Sequence, residues 1–477
     1  MSVQTSIRPQ AGRAQVGAQA RRRRRGLRPS GVWGALISWD GLFAFAMTLP
    51  LLFVFQLGSL SPALFLLFAM GCCAFYYRWF PKLIANRWVL LIAPVLAVIS
   101  FVWSAYPGET LKYSIETTIL AAAGLVLSGG RRPLGVLGGI AAAFTIFMAA
   151  SLAFGGSVEM VIAGSGTSVS AFAGLNSGKN LMGVTAAIAV LLTTAMLVVA
   201  YQARSIVLFG IATIVLAMDL YVVTAARSAG AIIGLAAALC VFFVALAVGR
   251  LSGRWRVAAI GLLVVMLLLA GAFSGFLVKE LTEFATTVFN KDPTLTGRTY
   301  LWYRGQDLIH ERPFLGRGYA AFWVQGNTDA EGLWRYGDIT SRSGFNFHNT
   351  VMEMVIHFGW VGATLILGSF AMAAALLLRR LATSPSVPTC FYLSFLAYQL
   401  TRTPFESLMP SPNDFQTLLL FIALGFGFRG VPVTRPRPRP RQARSIAVGT
   451  AAVFEPRLEL PRQPGPRALP PRRTGRG

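Results

Sequence analysis

Apolar runs long enough to cross a bilayer recur along most of this 477-residue chain. A transmembrane helix needs about 20 predominantly apolar residues, and the runs that approach this length lie near residues 41–57, 62–78, 88–103, 113–128, 134–154, 181–201, 205–223, 229–248, 257–277, 349–378, 388–402 and 415–428. Because 55% of residues are hydrophobic and only 13% are charged, a soluble multi-domain protein is excluded. The sequence therefore predicts an all-α, polytopic membrane protein with about 12 transmembrane helices.

Positive charges are concentrated in every second short loop. The basic loops carry Arg78, Lys82 and Arg87, then Arg131 and Arg132, then Arg204, then Arg250, Arg254 and Arg256, and finally Arg379 and Arg380. Cytoplasmic loops retain Lys and Arg, whereas translocated loops are depleted of them. We therefore expect the basic loops and both termini on the cytoplasmic side, since the number of predicted spans is even.

The two ends of the chain differ in composition from its middle. Residues 1–39 and 429–477 are rich in Arg, Pro and Gly and contain most of the excess positive charge, including the run Arg21 to Arg25. Such segments lack the apolar periodicity of a packed core. We expect two disordered basic cytoplasmic tails flanking a transmembrane domain over residues 40–428.

One long segment between spans, residues 278–347, is predicted to lie on the external side. It carries aromatic residues among balanced acids and bases, a composition able to fold and to lie at a membrane surface. From Thr299 onwards, helical spacing places Leu301, Gly305 and Leu308 on one side, with Pro313 ending the pattern. The sequence therefore predicts short amphipathic helices in this external loop.

Only three histidines occur: His310, His348 and His357. His348 lies where the external loop returns to apolar sequence, so it can reach water and a membrane-bound substrate and act as a general base. The alternative is an interfacial histidine that caps the following helix beside Asn349. His357 follows Glu353 by four residues, which favours a packed His–Glu pair. Nine positions separate His348 from His357, which places them on different helix faces and argues against a shared metal site.

Several cations stand on the predicted external side: Lys179, Arg227, Arg298, Arg304, Arg312 and Arg317. Guanidinium groups offer paired donors suited to phosphate oxygens. The alternative is local ion pairing, of Arg227 with Asp219, or of Arg304 and Arg312 with Asp307 and Glu311. We interpret Arg227 and Arg298 as binding residues and Arg312 as locally paired.

Motifs of other enzyme classes are missing from the sequence. The chain contains neither a GxxxxGK[ST] phosphate loop nor an HExxH zinc motif. The GSGTS stretch at Gly164 lies among Gly, Ser and Ala and is interpreted as a flexible linker. The sequence gives no support for an ATP-driven or zinc-dependent enzyme, and we expect neither a cofactor nor a metal.

Five segments together resemble a known family. They are WSAYPGETLKYSI from Trp103, GLNSGKNLMG from Gly174, TAARSAG from Thr224, GRTYLWYRGQDLIHERPFLGRGYAAFW from Gly297 and FHNTVMEMVIHFGWVG from Phe347. In this order they resemble the O-antigen ligase and polymerase superfamily, most closely its exopolysaccharide-polymerase branch. The likeness extends from about residue 40 to residue 428.

This resemblance implies a bacterial inner-membrane glycosyltransferase whose active site faces the periplasm. Such enzymes move a glycan from an undecaprenyl-pyrophosphate carrier onto an acceptor sugar. The resemblance implies that His348 is catalytic and that Arg227 and Arg298 bind the pyrophosphate, with Lys179, Arg304, Arg317 and Asn349 as further substrate-binding candidates. Arg317 stands where other members often have tyrosine, and Ser177–Gly178 precede Lys179 where histidine is common.

The expected partners are the lipid-linked donor, a glycan acceptor, membrane lipids and other polysaccharide assembly proteins, without nucleic acid. Two other functions remain open at this point. A ligase that transfers glycan to lipid A-core would use the same residues with a different acceptor. A glycan or lipid transporter would instead favour ionisable residues at the midplane of broken, repeated helices.

Overall fold

The computed structural model describes residues 29–161, 168–272, 298–342 and 345–430. Its first half consists of α1 (Pro29–Leu36), α2 (Trp39–Leu52), α3 (Val54–Leu57), α4 (Leu60–Phe75), α5 (Phe80–Ala85), α6 (Ile92–Ile99), α7 (Pro107–Ser128) and α8 (Pro133–Phe154), then strands β1 (Gly156–Val161) and β2 (Ser168–Gly174). Short 3-10 turns at Trp88–Leu91 and Ser100–Val102 flank α6.

The second half is helical. It consists of α9 (Lys179–Ala203), α10 (Ile206–Ala225), α11 (Ala229–Arg250), α12 (Gly253–Ala272), α13 (Arg298–Glu311), α14 (Thr328–Tyr336), α15 (Thr350–Thr383), α16 (Val387–Arg402) and α17 (Phe415–Gly427). Within the described ranges, six helices are long and apolar enough to cross a membrane: α7, α8, α9, α10, α11 and α15. Shorter apolar helices lie at α2, α4, 88–102 and α17, so the predicted all-α, polytopic membrane fold is confirmed.

Helix α9 lies at the centre of the bundle. Of its most apolar 18-residue stretch, 89% is buried, whereas only 28% of the corresponding stretch of α10 is buried. A helix that is apolar on all sides is buried either among other helices or in lipid; here α8, α10, α11 and α16 pack against α9. The first residues of this central helix, Lys179 and Asn180, are thereby held in a fixed position at one end of the bundle.

The connection between α8 and α9 is a β-hairpin, which the sequence did not predict. Strands β1 and β2 pair antiparallel, with Val158 opposite Ala171. Leu175, just after β2, accepts a hydrogen bond from the side chain of Gln56 (2.6 Å). Of the GSGTS stretch interpreted as a flexible linker, residues 164–167 lie outside the described residues, and Ser168 begins β2, so the prediction is wrong for Ser168.

The amino-terminal boundary also differs from the prediction. Helix α1 falls inside the segment 1–39 expected to be disordered, and it packs against α8 with Val32 fully buried. The prediction is wrong for residues 29–36 because an apolar face, including Val32, finds a partner in the bundle. The remaining tail predictions fall on residues 1–28 and 431–477, which lie outside the described residues.

Helix α15 is interrupted at Gly359, where the backbone turns to φ 64°. Residues 313–318, which follow α13, run across this break. The backbone N–H of Trp360 donates to the Pro313 carbonyl (2.7 Å). In the other direction, the N–H groups of Arg317 and Gly318 donate to the carbonyls of Ile356 (2.8 Å) and His357 (3.0 Å). A Cβ on Gly359 would lie 2.0 Å from a backbone oxygen of the loop, so only glycine fits. The loop therefore satisfies the polar groups that the helix break exposes.

The described residues of the loop before α15, 298–342 and 345–347, pack around an apolar core of their own. The two helices of this loop, α13 and α14, confirm the predicted amphipathic helices, and Leu301 and Leu308 are buried as the spacing indicated. Gly305 permits close approach of α13 to α15, because a Cβ there would meet the sulfur of Met352 at 2.3 Å. This packing places the start of α13 beside the start of α15.

Candidate active site

A cavity of about 520 Å³ lies where the starts of α9, α13 and α15 meet. Its lining residues are Asn180, Arg298, Leu301, Tyr336, Gly337, Asp338, Phe345 and His348. Two sequence-predicted residues, Arg298 and His348, therefore face one cavity, although 50 positions separate them in the chain. The aromatic rings and carboxylate on its other wall give it both apolar and hydrogen-bonding surface, as sites for polar organic ligands require.

Every residue of the stretch Phe345 to Asn349 has a structural role. The side chain of Asn346 accepts a hydrogen bond from the His348 N–H (2.8 Å), closing a tight turn in which His348 adopts φ 52°. The carbonyl of Phe347 accepts from the indole N–H of Trp302 (2.9 Å). The Phe345 ring meets the His348 imidazole edge-on, with centroids 5.9 Å apart. Together these contacts fix the direction of the imidazole.

The helix cap next to His348 belongs to Asn349 alone. The side chain of Asn349 accepts from the N–H of Met352 (3.0 Å), as an N-cap residue does. His348 precedes the cap and leaves its ring available, so the alternative in which His348 itself caps the helix is not observed. Because its side-chain oxygen holds the helix start, Asn349 acts as a support for the site, and its proposed contact with substrate stays a prediction.

Glu406 contacts both His348 and Arg298. Its carboxylate lies 3.3 Å from Nδ1 of His348 and 3.4 Å from a guanidinium nitrogen of Arg298. Arg298 also donates to the Phe405 carbonyl (2.6 Å). The loop that carries Glu406 is tied to α15, because the Thr350 hydroxyl donates to the Glu406 carbonyl (2.7 Å). One carboxylate therefore orients both the imidazole and the guanidinium.

The charges around Glu406 keep it ionised. Burial alone would raise the pKa of Glu406, but the hydrogen bond with His348 and the positive charges of Arg298 and Arg402 outweigh burial and hold that pKa below its usual value. An ionised carboxylate at Nδ1 favours the tautomer with the proton on Nδ1. The other ring nitrogen, Nε2, is then able to accept a proton.

A second carboxylate, the buried Glu353 of α15, accepts hydrogen bonds from the loop that precedes this helix. Glu353 and His357 are each 3% exposed, and their side chains approach to 3.6 Å, which confirms the predicted packed pair. Glu353 Oε1 accepts from the Trp323 indole N–H (3.0 Å), and Oε2 accepts from the Phe347 N–H (2.8 Å). His357 Nδ1 accepts from the Ala320 N–H (3.2 Å). Glu353 therefore binds a side chain and a backbone N–H of the loop, and His357 binds a backbone N–H of the loop.

Arg304 and Arg317 pair with acids of the external loop and do not line the cavity. Arg304 binds Asp307 at 2.8 Å and approaches Asp329 at 3.6 Å. Arg317 pairs with Glu311 and approaches Asp329 at 3.9 Å. Their role in substrate binding stays a prediction that the cavity geometry does not favour.

Arg312 differs from the expectation. It is exposed, and within the described ranges no acid pairs with it, because Glu311 turns to Arg317 instead. The predicted local pairing of Arg312 is therefore not observed. The cause is the course of the chain after Pro313, which brings Arg317 back alongside the end of α13.

Arg227 does not line the cavity, although the residue after it contacts a residue that does. It adopts φ 49° in the turn between α10 and α11, and its side chain is exposed. The next residue, Ser228, donates to the side chain of Asn180 (3.4 Å), which lines the cavity. The alternative pairing with Asp219 is not observed, because Asp219 is fully buried and accepts from Thr193 (2.7 Å). Lys179 opens α9 next to Asn180.

Sequence reasoning missed Glu406, Asn346 and the two tryptophans that hold the loop. Glu406 lies 58 positions after His348, in the short connection between α16 and α17, and no local spacing links the two. A signal for Asn346 did exist, since an Asn two residues before a histidine can close an Asx turn. No group of three His, Cys, Asp or Glu side chains able to hold a metal ion occurs in the described part of the chain.

The chain is similar to known proteins over most of its length. Residues 212–367 match the family described as O-Antigen ligase. The chain is also similar to the Exopolysaccharide production protein ExoQ of Rhizobium meliloti (strain 1021), with 28% identity over 404 residues. This alignment covers 81% of the present chain and 87% of ExoQ. The resemblance stated from the sequence is thereby confirmed. The family match includes Arg227, Arg298 and His348 but ends before Glu406.

Proposed function

We propose that this membrane protein is a glycosyltransferase that transfers a glycan from a lipid-pyrophosphate carrier, of the undecaprenyl type, onto the end of a growing exopolysaccharide. The observation that carries this proposal is the Glu406 carboxylate, which orients His348 and Arg298 toward one cavity. The match to an exopolysaccharide production protein over 81% of the chain supports polymer extension over transfer to lipid A-core.

His348 acts as the general base. Glu406 holds the proton on Nδ1, so Nε2 accepts the hydroxyl proton of the acceptor sugar as its oxygen attacks the anomeric carbon of the donor. The bond from that carbon to the pyrophosphate oxygen breaks at the same time, and its electron pair leaves with the pyrophosphate. The imidazolium then returns its proton to water or to the departing phosphate. A positioned base of this kind contributes roughly 10²- to 10⁴-fold in rate.

The arginines stabilise the leaving group. Two nitrogens of Arg298 are held by Glu406 and by the Phe405 carbonyl, which fixes the guanidinium plane at the cavity wall. The remaining donors of Arg298 can bind phosphate oxygens, and Arg227, whose neighbour Ser228 contacts Asn180, supplies a second, exposed guanidinium. Charge that builds up on pyrophosphate is therefore met by fixed cations, without reorganisation during the reaction.

The break in α15 does not favour transport. Broken helices in transporters open onto a binding site near the membrane midplane. Here residues 313–318 of the same chain fill the break and bond to its backbone. The polar cavity lies instead at the ends of α9, α13 and α15. This arrangement supports a reaction at one membrane surface.

The proposed orientation follows from the charge of the loops. The cavity and residues 278–347 face the periplasm, whereas the basic loops and both tails face the cytoplasm of a bacterial inner membrane. Residues 40–428 form the catalytic domain. In this orientation the cavity faces the side on which exported polysaccharide is assembled.

Complementation of a strain that lacks this protein tests the function. His348→Ala should abolish polymer formation, and the matched control His310→Ala should retain it, because His310 is exposed on α13 and does not line the cavity. A polymerase defect leaves single repeat units, whereas a ligase defect leaves full-length polymer unattached. Normal polymer from the His348→Ala strain, at normal protein levels, would contradict the proposal.

A further inference from the structure

A group of three arginines lies at the opposite end of the helix bundle from His348. Arg380 lies in the last turn of α15, the helix that His348 and Asn349 precede. Arg429 follows the end of α17, and Arg87 contacts the ends of α7 and α17 through Ser128 and Gly425. The catalytic cavity therefore does not use these arginines.

The three guanidinium groups are close to one another. Arg380 donates to the backbone carbonyl of Arg429 (2.9 Å). Both guanidinium carbons lie near the Phe426 ring, at 4.7 Å for Arg380 and 5.3 Å for Arg429. Arg87 is only 3% exposed, and burial together with the Arg429 charge lowers the pKa of Arg87 to about 10. Three positive charges thus converge in a partly dry site.

Neutral acceptors take every hydrogen bond that these guanidinium groups make with described residues. Arg87 donates to Ser128 Oγ (3.0 Å) and to the carbonyls of Gly425 (3.1 Å) and Leu83 (3.1 Å). Arg429 donates to the carbonyls of Ser128 (3.1 Å) and Gly130 (2.5 Å). The Nε group of Arg380 is buried and has no hydrogen-bond partner in the described part of the chain.

The negative charge near this site does not balance it. Three helix carboxyl ends converge there, and each supplies only about half a negative charge. Asp40 adds one carboxylate charge near Arg429, but its oxygens accept from the Tyr76 hydroxyl and the Arg132 N–H, and in the described part of the chain it forms no ion pair with the three arginines. Arg87 is buried and Arg380 and Arg429 are half-buried, and a charge held out of water without a counterion is costly. An anion with several oxygen acceptors would complete the site.

We propose that Arg87, Arg380 and Arg429 form a binding site for a phosphate group, which the headgroup of an anionic phospholipid would supply. Phosphate oxygens match the paired donors of guanidinium groups. The site lies where helices that cross the membrane end, which is the depth of lipid headgroups. Bound lipid would join the carboxyl ends of α7, α15 and α17 and stabilise the bundle through mass action.

The test compares lipid binding by the full-length protein and two variants. Wild type, Arg380→Gln and Arg429→Gln are reconstituted in nanodiscs of phosphatidylcholine with or without phosphatidylglycerol, and the thermal midpoint and the bound lipids, counted by native mass spectrometry, are measured. Arg379→Gln is the matched control, because it removes the same charge from an exposed neighbouring position. Residues 1–28 and 431–477, which hold most of the net positive charge, are identical in all four proteins.

Phosphatidylglycerol should raise the wild-type midpoint, and its affinity should fall roughly tenfold or more in Arg380→Gln and Arg429→Gln but stay within about twofold in Arg379→Gln. Equal responses in all four proteins, or none in wild type, would overturn the proposal. Inorganic phosphate and sodium chloride are compared at equal ionic strength. If phosphate raises the thermal midpoint and chloride does not, the site binds free phosphate; if chloride raises it equally, the proposal fails. Should the glutamine variants not fold, wild type that retains no anionic lipid after mild delipidation would overturn it equally.

Discussion

Replacing Glu353 by alanine is expected to loosen the external loop and to misplace His348. Glu353 is 3% exposed, and its two oxygens accept hydrogen bonds from the Trp323 indole and from the Phe347 N–H, the residue before His348. Alanine leaves both donors buried without a partner. Each such donor costs about 1–3 kcal/mol, so the free energy of unfolding should fall by about 2–6 kcal/mol.

Glutamine at the same position should have an intermediate effect. Its amide oxygen can accept one of the two hydrogen bonds, whereas its NH₂ group faces the other donor and cannot accept. Because a displacement of about 1 Å in a catalytic group can cost about 10²-fold in rate, turnover per folded molecule should fall in the order wild type, Glu353→Gln, Glu353→Ala.

The assay combines a thermal unfolding curve in detergent with polymer yield per folded protein. Glu331→Ala is the matched control, since its ion pair with Arg342 lies on the exposed side of the same loop and should matter little. If Glu353→Ala keeps the wild-type midpoint and turnover, Glu353 does not fasten the loop. If it loses stability but the folded fraction keeps full turnover, the link from Glu353 to His348 is wrong.

Four further predictions concern single residues and orientation. His357→Asn should retain appreciable polymer yield per folded protein, since His357 contacts Glu353 and the Ala320 N–H but does not line the cavity; complete loss with normal folding would indicate a two-histidine site. Arg298→Ala should reduce turnover more than Arg298→Lys, and the exposed Arg312→Ala should match wild type, with turnover per folded protein as the measurement; the reverse order would place the pyrophosphate elsewhere. The pKa of Glu406 is lower in the folded protein than in the unfolded chain, so ionised Glu406 stabilises the fold above about pH 4.5 and this stabilisation is lost as pH falls through the folded pKa. Acid should therefore lower the thermal midpoint less steeply in Glu406→Gln than in wild type. Equal slopes in the two proteins would refute this. Reporter fusions within 320–340 should be external, and a cytoplasmic signal there would remove the site from the donor's side of the membrane.

The sequence predicted the helices well because their signal is local. Apolar length marked the spans, and helical spacing marked the buried side of α13 at Leu301 and Leu308. The packed pair of Glu353 with His357 also followed from spacing within one helix. Features of this kind depend on residues a few positions apart.

The contacts that complete the site could not be predicted, because they join distant parts of the chain. Glu406 meets His348 only through the packing of α15 against the loop after α16. The loop at 313–318 bonds to the break at Gly359, and this pairing decides that Glu311 meets Arg317 and leaves Arg312 exposed. The hairpin of β1 and β2 was missed for a related reason, since short strands rich in small residues resemble a linker in composition.

In the proposed mechanism His348, oriented by Glu406, activates an acceptor sugar against a lipid-pyrophosphate donor. The most direct test is turnover of a lipid-pyrophosphate glycan by the purified full-length protein in the presence of a metal chelator, with His348→Ala and Glu406→Ala beside wild type. If this mechanism is right, wild type should elongate the glycan and release the lipid pyrophosphate, His348→Ala should be inactive and Glu406→Ala should be strongly impaired. Elongation by folded His348→Ala at the wild-type rate would contradict it.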